Sequence, residues 1–476
     1  MLIRRLYDHQ LAQASWLVGC AETGEAIVID PNRRIERYVD AAAEEGLRVT
    51  HVTETHIHAD FVSGSRELAE RTGAELLLSR EGGPDWQYGY ADEAKATLLA
   101  DGDGFMVGRV RFEARHTPGH TPEHLSFLVT DTATGDAPLG VFTGDFIFVG
   151  DVGRPDLLER AAHASGTMEA SARDLYRSLL RFRLLPDYLQ LWPGHGAGSA
   201  CGKALGELPQ TTLGYERLTN WAFAIEDEAT FVREVLAGQP EPPRYFAAMK
   251  RINRDGPRRR TPGLPPELDA AALAALLRSA AVVVDLRPAA RFAERHVPGT
   301  MSLPDGRSLL NWAGWLLPYD RDIHLLGVER ARLADVLESL ALIGLDRVAG
   351  WLPPEAIDGW AAGGGSLASV PQWTPAELVE ARRSGNGAVQ VVDVRWPGEW
   401  SEGHIGGAAH VPVPDLAVRL AELPADATLV MHCQGGGRSG IAASIAEAAG
   451  RKVVNLAGGF GAWVAAGLPT ENGRAE

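Results

Sequence analysis

Val283-Val284-Asp285-Leu286-Arg287 returns as Val391-Val392-Asp393-Val394-Arg395, and this recurrence constrains the second half of the chain more than any single residue does. Three further pairs of blocks keep the same spacing of 108 residues. They are Arg295-His296-Val297-Pro298-Gly299 with Gly403-His404-Ile405-Gly406-Gly407, Ile323-His324 with Met431-His432, and Ala349-Gly350 with Ala457-Gly458. A period of that length means a duplicated domain rather than a solenoid. Each copy alternates short apolar runs with helical patterns, the mark of a parallel α/β sheet. The seam between the copies runs from Gly363-Gly364-Gly365-Ser366 to Pro375.

The first half reads differently. Apolar runs at 26–30, 47–53, 75–79, 110–115, 125–130, 141–145 and 188–192 predict strands with few helices between, as in a two-sheet sandwich with helices outside. A Pro- and Arg-rich stretch at 238–266 predicts an inter-domain linker, followed by a helix at 268–278. The 476 residues suffice for about three domains, expected at 1–240, 262–365 and 371–476. A net charge of −16 argues against a nucleic-acid or anionic-membrane surface. No run approaches the ~18 apolar residues of a membrane span, and no signal peptide is visible. Three cysteines, Cys20, Cys201 and Cys433, make no disulfide framework, so a cytoplasmic protein is expected.

Four His/Asp motifs each follow a predicted strand: His56-Ile57-His58-Ala59-Asp60-Phe61, His116-Thr117-Pro118-Gly119-His120, Thr143-Gly144-Asp145 and Pro193-Gly194-His195. Imidazole and carboxylate are good metal ligands, and strand ends let them converge. In this order the motifs resemble the metallo-β-lactamase superfamily. With Gly153-Arg154-Pro155-Asp156 they are most similar to its persulfide dioxygenase branch. The resemblance implies an αββα sandwich and one Fe(II) per chain held by His56, His120 and Asp145, with positions open for a persulfide and O₂. The superfamily pattern has a second-metal His where this chain has Phe61, so one metal is expected. His58 and Asp60 are then expected behind the ligands. His195 has either a ligand role or a substrate-facing or hydrogen-bonding one. Arg154 is read either as a clamp for an anionic persulfide or as an internal ion pair with Asp151 or Asp156. Cys201 is read either as a thiol that takes up sulfane sulfur or as a small loop residue.

Cys433-Gln434-Gly435-Gly436-Gly437-Arg438-Ser439 follows an apolar strand and precedes a helical run. Glycines let such a loop curl its N–H groups inward, and the helix N-terminus adds positive potential that favours a thiolate and lowers the thiol pKa. Cys433 and Arg438, with Asp393-Val394-Arg395 and Gly403-His404-Ile405, resemble the rhodanese sulfurtransferases. In the first copy the spacing puts Leu325 at the Cys433 position and Val328-Glu329 at Gly436-Gly437, while Arg330 matches Arg438. That copy is expected to be an inactive rhodanese-like α/β domain.

Together these resemblances imply an α+β sandwich followed by two α/β domains. Low-molecular-weight thiol persulfides and O₂ would be the substrates, with sulfur passing between persulfide, sulfite and thiosulfate. A homo-oligomer is expected. Two other readings stay open: a glyoxalase II-like dizinc thiolester hydrolase fused to rhodanese, and a non-enzymatic sulfur carrier or sensor.

Overall fold

The computed structural model describes residues 1–157, 166–199, 201–203, 205–239, 241–260, 263–384 and 388–473. The domain boundaries expected at 240, 262 and 476 fall outside them. The chain divides into two units, Met1–Thr261 with Glu338–Leu345, and Pro262–Leu337 with Asp346–Glu476.

The first unit holds two six-stranded sheets. One runs in sequence order through β1 (Leu2–Asp8), β2 (Gln13–Cys20), β3 (Glu25–Ile29), β4 (Arg48–Thr53), β5 (Glu75–Ser79) and β6 (Thr97–Leu99). The other comprises β7 (Gly104–Val107), β8 (Val110–His116), β9 (Leu125–Asp131), β10 (Gly140–Gly144), β11 (Gln190–Pro193) and β12 (Thr211–Thr212), also in sequence order. Helices α1 (Glu36–Glu44) and α2 (Ser65–Thr72) pack on the first sheet, α3 (Met168–Phe182) on the second. Then follow α4 (Leu213–Thr219), α5 (Trp221–Ala224), α6 (Glu228–Leu236) and α7 (Phe246–Asp255).

Side-chain alternation explains the layering. In β3, Ala26 and Val28 join the cluster under α1 and α2, whereas Ile27 and Ile29 join the one between the sheets. In the second sheet, Val141 faces α3 while Phe142 packs with Trp16, Phe127 and Trp192. Both faces of each sheet are therefore buried, so the inner strands read as unbroken apolar runs. All seven predicted strands are present, with ends shifted by one or two residues at most. β1 escaped the sequence reading because it is an edge strand interrupted by two half-buried arginines, Arg4 and Arg5. The stretch predicted as a linker contains α7, which buries Phe246, Met249 and Asn253 along one face and belongs to the first unit.

In the second unit, α8 (Ala270–Arg278) precedes β13 (Val282–Asp285), α9 (Ala289–Glu294), β14 (Met301–Ser302), α10 (Leu309–Leu316), β15 (Ile323–Leu326), α11 (Arg330–Leu342), β16 (Val348–Leu352) and α12 (Ala356–Ala362). The last residues of α11 count with the first unit. The second copy has β17 (Gln372–Trp373), α13 (Pro375–Ser384), β18 (Val389–Asp393), α14 (Pro397–Glu402), β19 (His404–Ile405), β20 (Ala409–His410), α15 (Leu416–Arg419), β21 (Thr428–His432), α16 (Gly437–Ala448), β22 (Val453–Leu456), α17 (Gly459–Ala465) and β23 (Thr470–Glu471). The sheet orders correspond: β14-β13-β15-β16 in the first copy, and β20-β18-β21-β22 with β17 added in the second.

Pairing register corrects the sequence alignment of the copies. Asp285 faces Ser302 as Asp393 faces His410, which keeps the spacing of 108. Phe292 stacks on His296 as Trp400 stacks on His404, again at that spacing. On the other side of the strand, however, Asp285 faces Leu326 whereas Asp393 faces His432. The Leu286 and Val394 N–H groups donate to the carbonyls of those same two residues, both at 2.9 Å. Leu326 thus stands at the His432 position, and Gly327, not Leu325, stands where Cys433 does. The chain between the paired strands differs by two residues in length, so matching His324 to His432 slips the register.

Candidate functional site

The four motifs lie at the C-terminal ends of β4, β8, β10 and β11. Cross-links bind these ends together: Leu125 N–H donates to Thr55 O, Gly194 N–H to Gly144 O and Ala14 N–H to Gly194 O, at 2.7–2.9 Å. Two sheets thus deliver their loops to one place.

There His56, His120 and Asp145, all buried, form one cluster of ligand atoms. His56 Nε2 and His120 Nε2 lie 3.8 and 3.5 Å from Asp145 Oδ2. The opposite ring atoms are engaged: His56 Nδ1 lies 2.9 Å from Thr55 Oγ1, and His120 Nδ1 lies 3.2 Å from the Arg154 carbonyl. Anchoring Nδ1 orients the Nε2 lone pair, as metal-ligating histidines require. Among the described residues His56 Nε2 and both Asp145 oxygens have no hydrogen-bond partner. A buried polar atom without a partner is costly, and a bound cation would satisfy all three. The donor set therefore fits a metal ion. Burial and the neighbouring histidines push His56 well down and His120 down to about 3, so both are neutral and able to coordinate.

His58 is not one of the three ligand groups, although its ring lies 4.2 Å from that of His56. Its Nε2 lies 3.1 Å from Asp30 Oδ1. Burial alone would lower its pKa, but Asp30, Glu54 and Asp60 raise it to about 9. Phe61 is buried with its ring 4.3 Å from the His58 ring. His195 approaches both Asp60 Oδ2 at 3.3 Å and Asp145 Oδ1 at 3.4 Å, with Nδ1 held by Ala12 O at 3.1 Å. Asp60, His195 and Cys201 make a second group of potential ligand atoms beside the first. Burial, then Asp60 and Asp145, push the Cys201 thiol well up, so it is protonated without a cation. Arg154 is fully buried and grips Asp156 with two parallel bonds, Nε to Oδ1 at 3.0 Å and Nη2 to Oδ2 at 2.8 Å. That is one of the internal ion pairs expected for it. Cys20 lies in the core between the sheets, and His116 sits outside the cluster, against Pro122 O at 2.7 Å.

Sequence reasoning missed Glu123, Asp30 and Asn253. Glu123 Oε1 accepts Ile57 N–H at 2.7 Å, and burial pushes this carboxyl up to about 7. Asp30 accepts Thr55 N–H at 2.6 Å and Thr55 Oγ1 at 2.9 Å. A glutamate three residues after the second His motif was a visible signal for Glu123. Nothing local marked Asp30 or Asn253.

In the second copy Cys433 follows β21 directly and is buried. Gly436 N–H donates to its Sγ at 3.1 Å, and Ser439 Oγ lies at 3.5 Å. Gly436 has φ +99°, which a residue with a Cβ rarely adopts. Arg438 pairs in a fork with Glu399. Arg395 pairs with Asp393, donates to Gly403 O at 2.6 Å and lies 3.4 Å from Gln434 Oε1. Gly435 and Gly437 complete the turn into α16. In the first copy Arg287 pairs with Asp285 and donates to Arg295 O in the same way. There, however, the helix begins at Arg330, structurally opposite Gly436, and Leu325 is buried within β15. A cavity of about 560 Å³ remains at this loop, lined by Arg287, Arg291, Arg295, Asp305, Glu329 and Arg332 among others.

Known proteins resemble both halves of the chain. The metallo-beta-lactamase superfamily model matches residues 10–195, and the rhodanese-like domain model matches 374–466. The mitochondrial persulfide dioxygenase ETHE1 of Homo sapiens is 30% identical over 199 residues, covering 41% of this chain and 68% of the relative. A hydroxyacylglutathione hydrolase of Rhodospirillum rubrum is 29% identical over 197 residues, covering 39% of this chain and 65% of the relative. Among solved structures, a metallo-beta-lactamase from Staphylococcus aureus subsp. aureus COL is similar with a TM-score of 0.66 and 41% identity, covering 74% of this chain and 99% of that one. Among the described residues no helix is long and apolar enough to cross a membrane.

Proposed function

Because this chain belongs to the metallo-β-lactamase superfamily and carries a C-terminal rhodanese-like domain, we propose that it joins two steps of sulfane-sulfur chemistry. The first oxidises a low-molecular-weight persulfide with O₂ and water to thiol and sulfite at a single Fe(II). The second moves sulfur between persulfide, sulfite and thiosulfate on Cys433. One observation carries the reading: a two-His, one-carboxylate cluster with orphaned ligand atoms shares a chain with a cysteine at a curled helix-capping loop.

His56, His120 and Asp145 would hold the iron, which supplies open positions for sulfur and O₂ and a redox couple that zinc lacks. Thr55 and the Arg154 carbonyl keep the two imidazoles facing Asp145. His195, between Asp60 and Asp145, would take a proton as water is consumed. In the rhodanese-like domain the Cys433 thiolate attacks the outer sulfur of a persulfide and the carrier thiol leaves. The cysteine persulfide then gives its terminal sulfur to sulfite, which forms thiosulfate and restores the thiolate. Gly436 N–H stabilises the sulfur anion in each state.

Oxygen-electrode assays of iron-loaded protein with glutathione persulfide, with sulfite and thiosulfate analysis, test this. Oxygen uptake with sulfite release is expected, and Asp145→Ala removes both iron and uptake. Stoichiometric iron in that variant would exclude Asp145 as an essential ligand. The second group of Asp60, His195 and Cys201 favours one rival, a two-metal thiolester hydrolase. Two zinc ions per chain with hydrolysis of S-lactoylglutathione would establish it instead.

A further inference from the structure

We infer that α7 is a component of the metal centre, and that Asn253 is a positioning residue for the loop that carries His56, His58 and Asp60. The helix lies beyond residues 10–195, where the superfamily model ends. Its buried positions, Phe246, Met249 and Asn253, follow helical spacing along one face. An asparagine in such a stripe is exceptional, because Asn is a poor helix former and its amide is costly to bury without partners.

Here the amide is fully used. Its Nδ2 donates to His58 O and to Phe61 O, both at 2.7 Å, and its Oδ1 accepts Ser63 N–H at 2.9 Å. One side chain thus holds three backbone groups of six consecutive residues, and the two carbonyls bracket Asp60. The loop has two other backbone anchors nearby: Val62 N–H donates to Leu342 O at 2.7 Å and Gly64 N–H to Pro31 O at 2.8 Å. Irregular backbone buried beside a charged site needs every polar group satisfied. The other end of the helix touches the same loop, since Phe246 packs with Phe148, Leu157 and Cys201 in a cluster that Ala59 joins.

Asn253 therefore acts on the centre through the loop backbone. Its amide sets where Asp60 and Phe61 stand, and with them the ring of His58 and the approach of His195 to Asp60. No other residue type of similar size offers two donors and an acceptor in this arrangement.

This inference rests on the assignment of the metal to His56, His120 and Asp145, and the test separates the two. Co(II) is titrated into metal-free full-length protein and its visible d–d absorption is followed. Wild-type protein that takes up no Co(II) overturns the metal assignment and this inference together. With wild-type uptake established, Asn253→Ala is expected to bind Co(II) at least about tenfold more weakly, with a shifted band. Met249→Ala, on the same buried face but without bonds to the loop, serves as a control for loosened packing. At a matched loss of thermal stability it should stay within about twofold of wild type. Should Asn253→Ala not fold, Asn253→Asp is read instead. It keeps the acceptor for Ser63, loses both donors, and should show the same spectral shift. An unaltered spectrum and affinity in the Asn253 variant, or an equal loss in Met249→Ala, overturns the inference.

Discussion

Arg438 and Glu399, 39 positions apart, meet through two parallel hydrogen bonds, Nη1 to Oε2 at 2.6 Å and Nη2 to Oε1 at 2.7 Å. Glu399 Oε2 also accepts Trp396 N–H at 3.2 Å, so the carboxylate is held from the start of α14. Arg438 in turn holds Glu399 below its ordinary pKa against the opposing effect of burial. The fork therefore offsets much of the guanidinium charge next to the Cys433 loop. Glu399→Gln removes the offset and should speed iodoacetamide alkylation of Cys433 at neutral pH about threefold, by favouring the thiolate. Arg438→Ala leaves a bare carboxylate there and should slow it. Equal rates in both variants and wild type would mean that the pair is structural only.

The two chemistries should separate by mutation. Cys433→Ser keeps the loop but loses the nucleophile, so thiosulfate formation stops. Oxygen uptake and sulfite release continue, because His56, His120 and Asp145 all lie in the other unit. If uptake disappears while iron content stays intact, the modules are obligately coupled and the proposed division of labour is wrong.

His432 gives the rhodanese-like domain a predictable acid sensitivity. Burial outweighs the attraction of Asp393, 3.5 Å away, and pushes the imidazole down to about 4. The unfolded chain then takes up a proton near pH 6.5 that the folded domain refuses. Stability falls as pH drops below about 6.5 and stops falling near 4. The loss between pH 7 and pH 5 should be about 2 kcal/mol. Urea unfolding at both pH values checks this, with His432→Asn expected to lose that part of the dependence. An identical pH dependence in the variant would assign the sensitivity to other groups.

What was legible in the sequence follows a physical rule. The cluster of His56, His120 and Asp145 could be found because its candidate ligands follow strand ends, and strands buried on both faces announce themselves as apolar runs. Asn253 could not, because its partners are backbone groups almost two hundred residues away and its neighbours are the arginines and prolines of an apparent linker. Glu399 was hidden for the same reason, as its role depends on Arg438 across the fold. The slipped register at β15 has another cause. The repeated His324 and His432 are one residue type at two structural positions, and only strand pairing with Asp285 and Asp393 tells them apart.

That register decides how the first copy can be tested. Leu325→Cys would bury a thiol inside β15, where the side chain is fully enclosed. The position equivalent to Cys433 is Gly327, which has φ +77°. A Cβ there would lie 2.5 Å from Arg287 Cγ and 3.0 Å from its Cδ, so the arginine that pairs with Asp285 would have to move. The helix also starts at Arg330, opposite Gly436, so the left-handed turn that brings Gly436 N–H to Cys433 Sγ has no counterpart. A thiol would therefore meet strain and lack its donor. In a Cys433→Ser background, neither Gly327→Cys nor Leu325→Cys should give thiosulfate:cyanide sulfurtransferase activity. Combining Gly327→Cys with Arg287→Ala relieves the clash but not the missing donor, and should remain inactive too. Activity within about tenfold of the Cys433 domain from Gly327→Cys alone would show that the first loop curls around a thiol when given one. The domain would then have lost its chemistry through that single position.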